Sequence, residues 1–78
     1  MLNIEDMVLN AFHKLNIENI GLSDHLEDDL SMDSQEVVSL IVQLEKLFGM
    51  NLNLNDISKN MNVSQVIAHI KKSYRIAQ

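Results

Sequence analysis

Apolar residues in the first segment of the chain recur at helical spacing. Ile4, Met7, Val8, Ala11, Phe12 and Leu15 are separated by steps of 3, 1, 3, 1 and 3. Side chains spaced in this way share one face of an α-helix, and no strand would gather them on one side. The spacing predicts a helix over residues 3–16, with Asn3 as its N-cap and Asp6 three residues on. Proline is absent and there are only two glycines, so few breakers interrupt such runs. Hydrophobic residues make up 46% of the chain and aromatic ones 4%. That balance suits aliphatic packing between helices better than a β-sandwich. Seventy-eight residues allow one domain, spanning 1–78. A core of that size rarely supplies more than about 3–5 kcal/mol. With no cysteine, neither a disulfide nor a Cys-ligated metal can add to it.

The helical period lapses over residues 17–32. Asn19, Gly21, Ser23 and Asp24 favour turns there, while Ile17, Ile20, Leu22, Leu26, Leu30 and Met32 would pin a long loop to the core. A short helical turn is expected near residues 25–28. A second helix should open at Ser34, with Asp33 as N-cap and Glu36 at the reciprocal capping-box position, and close at Gly49. Its inner path is read as Val38, Ile41, Leu44 or Glu45, and Phe48. Val37, Leu40, Val42 and Leu47 cannot all face the same core, so some of them are exposed. Residues 50–62 read as a linker with one short helix over 55–60. The last helix starts after an Asn62 cap paired with Gln65, buries Val63, Val66, Ile67, Ile70 and Tyr74, and ends among Lys71, Lys72 and Arg75, where cations suit the helix dipole. The expected fold is all-α, a small four-helix bundle of three longer helices and one short one, with a long loop after the first.

The net charge of −5 is unevenly spread. Residues 1–36 carry nine acids against Lys14 alone, whereas five of the six basic residues lie between 37 and 78. An anionic front repels nucleic acid phosphates and anionic lipid, and draws basic protein surfaces toward it. The N-terminus lacks the basic and continuously apolar regions of a signal peptide, and no stretch approaches a membrane span. A soluble cytoplasmic protein is expected, with no nucleic acid partner and no membrane insertion. His13, His25 and His69 show no metal-ligand spacing. The acids from Asp24 to Glu36 lack the glycine and closing glutamate of an EF-hand. No catalytic constellation stands out, so neither catalytic residues nor a metal site are expected.

The segment Glu27-Asp28-Asp29-Leu30-Ser31-Met32-Asp33-Ser34 carries most of the information. It resembles the acyl carrier protein family, which has an acidic pair and leucine followed by Asp-Ser at the opening of the second helix. The likeness covers most of the chain, down to Leu47-Phe48-Gly49 at that helix's end. The resemblance implies a carrier, not an enzyme. A phosphopantetheinyl transferase using Mg²⁺ would move 4'-phosphopantetheine from coenzyme A onto the Ser34 hydroxyl, with Asp33 supporting, and the arm's thiol would carry acyl groups as thioesters. The local physics agrees. A helix N-terminus offers free N–H groups and a positive dipole end to a phosphodiester. No base neighbours Ser34 in sequence, which suits a serine modified by another enzyme. The thiol belongs to the cofactor.

Further partners implied are an acyl-loading ligase or acyltransferase and a condensing or acyl-transfer enzyme. They would dock on a monomer through Asp29, Met32, Gln35, Glu36, Val42 and Glu45. The chain departs from the family pattern at Gln35, where leucine is usual, at Ser31, where glycine is common, and at Ser39, where many members carry glutamate. Ser39 leaves the second helix only Glu36 and Glu45, so its partner surface is read as less acidic and, through Val42 and Leu40, more apolar, which suggests a specialised fatty acid, polyketide or other acyl pathway. The alternatives are an aminoacyl or peptidyl carrier, or a noncatalytic helical adaptor that has lost the cofactor.

Overall fold

A computed structural model describes residues 3–77, with side chains as far as Tyr74. Three helices form: α1 (Ile4–Lys14), α2 (Ser34–Phe48) and α3 (Val63–Ala77). Each begins where a side chain satisfies backbone donors that the helix cannot. Asn3 accepts the Asp6 N–H at 2.7 Å. Asp33 and Glu36 form a reciprocal capping box. Asn62 and Gln65 exchange two bonds of 2.9 Å across the start of α3. At its other end α2 stops at Gly49, whose φ of 62° is a left-handed turn that costs glycine little.

α1 packs against both α2 and α3. It contributes Val8, Ala11 and Phe12 to a core completed by Leu40, Ile41 and Leu44 of α2 and by Val63, Val66, Ile67 and Ile70 of α3. Phe48 meets the half-buried Tyr74 edge to face, with ring centroids 5.6 Å apart, which ties the end of α2 to the end of α3. The side chain of Arg75, expected in the cationic last turn, lies outside the described residues.

The buried face of α2 differs from expectation. Val37 is buried and Val38 is 42% exposed. Adjacent valines at the helix start make both rotations compatible with an apolar stripe. The rotation is set by what lies opposite: Leu26, Met32 and Ile57 from the loops join the same core as Val37.

The expected short helix over 55–60 is also corrected, because that stretch forms turns. The Asp56 N–H reaches the Asn53 carbonyl and the Met61 N–H the Ser58 carbonyl. Asn and Asp side chains compete for the backbone in such stretches, as the Asp56 carboxylate does in accepting the Asn53 N–H. The carbonyls of Lys59 and Met61 are also committed elsewhere, accepting the N–H groups of Glu27 and Leu26 on the first loop. The bundle among the described residues thus has three helices and two long, mutually bonded connections. Residues 25–28 likewise make a turn, in which the His25 carbonyl accepts from Asp29 and Leu30.

Ser31 ends this first loop at φ 56°. A side chain in the left-handed region costs roughly 1–2 kcal/mol, partly returned for glycine by its larger unfolded-state entropy. Ser31→Gly is expected to stabilise the fold by about 1 kcal/mol, a Tm rise of about 4–8 °C for a domain this small. Thermal unfolding followed by circular dichroism tests this. A variant melting at or below the parent would show that the turn stores no strain.

Candidate functional site

Ser34 is the first residue of α2 and is exposed. Asp33 precedes it as N-cap, its carboxylate accepting the Glu36 N–H at 2.8 Å, while the Glu36 carboxylate accepts the Asp33 N–H at 3.3 Å. The first carbonyl taken up by the helix is that of Asp33, bonded by the Val37 N–H. The N–H groups of Ser34 and Gln35 precede that bond and have no intrahelical acceptor. An anion joined to the Ser34 oxygen would therefore meet two backbone donors and the positive end of the helix dipole. No ring nitrogen or carboxylate among the described residues is hydrogen-bonded to the Ser34 hydroxyl, so none of them activates it as a nucleophile.

Ser34 also borders a groove of about 300 Å³ between α2 and the second connection. Val37 and Val38 line it from the helix, and Leu54, Ile57 and Lys59 from the connection. Leu54 is 64% exposed, so one wall of the groove is a large aliphatic side chain held in water. Lys59 reaches Glu27 at 3.1 Å. The wall is kept in register by the backbone bonds between residues 26–27 and 59–61 described above.

The phosphopantetheine attachment site family matches residues 7–70 of this sequence. The acyl carrier protein of Helicobacter pylori is 32% identical over 69 residues, covering 86% of this chain and 88% of that protein. The chain belongs to the acyl carrier protein family. The acyl carrier protein of Desulforapulum autotrophicum is 28% identical over 69 residues, with 88% of this chain and 90% of the relative covered. That of Rickettsia bellii is 29% identical over 73 residues, covering 90% and 85%. No solved structure is matched. As a member of this family the carrier bears a covalently attached 4'-phosphopantetheine and leaves catalysis to the enzymes that modify and load it. That cofactor removes the alternative of an adaptor without one.

Of the residues expected to meet partners, Asp29, Gln35, Glu36 and Val42 reach the surface of the carrier to differing degrees. Asp29 also accepts the His25 N–H at 2.7 Å, so its carboxylate shapes the loop before Ser34. The Glu45 carboxylate accepts the Leu52 N–H at 2.8 Å and holds the chain that leaves α2. Met32 is a correction. It is 1% exposed and sits in the core, its N–H bonded to the Leu26 carbonyl, and so offers no surface to a partner. The left-handed Ser31 just before it reverses the chain, so that Met32 turns inward and Asp33 outward.

Val38, Leu54 and Lys59 were not anticipated at the site. Only the apolar richness of α2 hinted at Val38. Leu54 and Lys59 come to the groove beside Ser34 through pairing of two distant loops, which carries no local signal.

Proposed function

We propose that this chain carries acyl groups on a 4'-phosphopantetheine arm attached to the Ser34 hydroxyl, as a monomeric cytoplasmic domain serving a dedicated acyl pathway of fatty acid or polyketide type. The observation that carries this reading is the exposed Ser34 hydroxyl at the first position of α2, inside the family-matched region. The surrounding residues fit a tethered phosphodiester. Two N–H groups lack acceptors, the hydroxyl is open to an approaching enzyme, and the adjoining groove has aliphatic walls for the uncharged part of an arm. When attached, the arm supplies a terminal thiol that holds the cargo as a thioester.

The chain's own residues hold and present. The Ser34 oxygen forms the new bond to phosphorus, its proton passing to the transferase as the nucleotide portion of coenzyme A departs. Asp33 fixes the helix start, and with it the direction of the hydroxyl, through its bond to the Glu36 N–H. It also offers a carboxylate beside Ser34 to the transferase's Mg²⁺. Glu36 and Asp29 present negative charge around Ser34 to basic surfaces on the transferase and on loading and acyl-transfer enzymes. Val38 and Val42, one helical turn apart along the exposed side of α2, give those partners an apolar centre.

Incubation with coenzyme A and a broad-specificity transferase, followed by intact-mass measurement and peptide mapping, tests this. The arm is expected once per chain, on the peptide containing Asp33-Ser34. Absence of the added mass, or its location on another residue, overturns the reading. The mass borne by the arm in the native host separates acyl from aminoacyl or peptidyl cargo.

A further inference from the structure

We propose that Lys59 is the counter-ion of the arm's phosphodiester, an inference that rests on attachment at Ser34. Lys59 and Ser34 border the same groove, and Lys59 is the one cation among the described residues that line it. The stretch that receives the new negative charge is already anionic, with Glu27, Asp28, Asp29, Asp33 and Glu36 around it in sequence. A phosphodiester there gains most from a nearby positive group.

The base of Lys59 is fixed, because its carbonyl accepts the Glu27 N–H at 3.1 Å. Its ammonium, by contrast, is only loosely engaged. The ion pair with Glu27 spans 3.1 Å, but each side chain retains 43% of its exposure. Exposed pairs of this kind are weak, and an ammonium on a flexible stem can be shared between two anions. Lys59 is thus anchored at the backbone and only weakly paired at its tip, on a wall of the groove that Ser34 also borders. It acts as a positioning residue: it draws the proximal part of the arm toward the wall formed by Leu54 and Ile57, and away from the acidic loop.

The alternative role for Lys59 is structural, a clamp between the two loops through Glu27. Comparing variants at both positions separates these roles. Amide resonances of the apo and arm-bearing forms are compared in the parent, Lys59→Met, Lys59→Arg and Glu27→Gln, with intact mass confirming the arm on Ser34 in each. In the parent, attachment should shift the amides of Ser58, Lys59 and Asn60 as well as those of Ser34 and Gln35. In Lys59→Met the shifts at 58–60 are expected to vanish while those at 34 and 35 persist, and Lys59→Arg should restore them. Glu27→Gln should keep or enlarge them, because Lys59 then has only the phosphodiester to meet. Raising ionic strength from about 0.01 M to about 1 M shortens the screening length from about 30 Å to about 3 Å, and should shrink the parent's shifts at 58–60. Shifts that survive in Lys59→Met, or that disappear equally in Glu27→Gln, overturn the proposal while leaving attachment at Ser34 intact. An arm mapped to any other residue overturns both.

Discussion

Ser34→Ala, on the proposed attachment, should abolish acceptance of the arm completely while leaving the fold almost untouched. The two halves of this expectation have separate physical grounds. The side chain is exposed at the first position of α2, and the cap there is made by Asp33 and Glu36, not by the serine. Alanine is the best intrinsic helix former. Surface changes of this kind stay within about 0.5 kcal/mol. The chemistry, in contrast, has no substitute: without the oxygen no phosphodiester can form, and no nearby hydroxyl shares the setting. The next one on the helix, Ser39, lies more than a turn further on, where the backbone N–H groups are already used within the helix. The measurement pairs thermal unfolding with intact mass after treatment with coenzyme A and transferase. An alanine variant that still gains the arm rules out Ser34. One that melts far below the parent would mean that the hydroxyl also has a structural task.

Phe12→Ala should have the largest effect on stability. Phe12 is fully buried on α1, the helix that touches both others, and belongs to the core shared by all three. Truncating a buried phenylalanine costs about 3–5 kcal/mol, from lost transfer energy and the cavity left behind. A core of this size supplies only about the same amount in total. The variant is therefore expected to lack a cooperative thermal transition above room temperature and to show weakened helical circular dichroism at 25 °C. A loss of only about 1 kcal/mol would show that neighbouring aliphatic side chains collapse into the space and that the core is more plastic than its close burial suggests.

The features legible in the chain were local ones. The capping pairs Asp33–Glu36 and Asn62–Gln65 and the terminating Gly49 each depend on residues within one turn of each other, and all three occur as read. The inner face of α3 was equally plain, because Val63, Val66, Ile67 and Ile70 stand out against polar neighbours. On α2 that contrast fails. With apolar residues at 37, 38, 40, 41 and 42, the period alone cannot choose between Val37 and Val38, and the core that Val37 shares with Leu26, Met32 and Ile57 chooses instead. Met32 faces the core and not a partner because its direction depends on the backbone of Ser31, and serine does not advertise a positive φ. Ser34 could be singled out because its motif is contiguous. The opposite wall of its groove could not, because Leu54 and Lys59 arrive there through hydrogen bonds between loops more than thirty residues apart.

That cross-bonding has a further consequence. The first two N–H groups of α3, on Val63 and Ser64, donate to the Asp24 and Leu22 carbonyls, both at 2.9 Å. The last helix thus borrows part of its foundation from a segment near the beginning of the chain. During vectorial synthesis those early carbonyls have only water to bond until residues 59–64 leave the ribosome. The loop before Ser34 then acquires its lasting shape only after that later stretch has joined it.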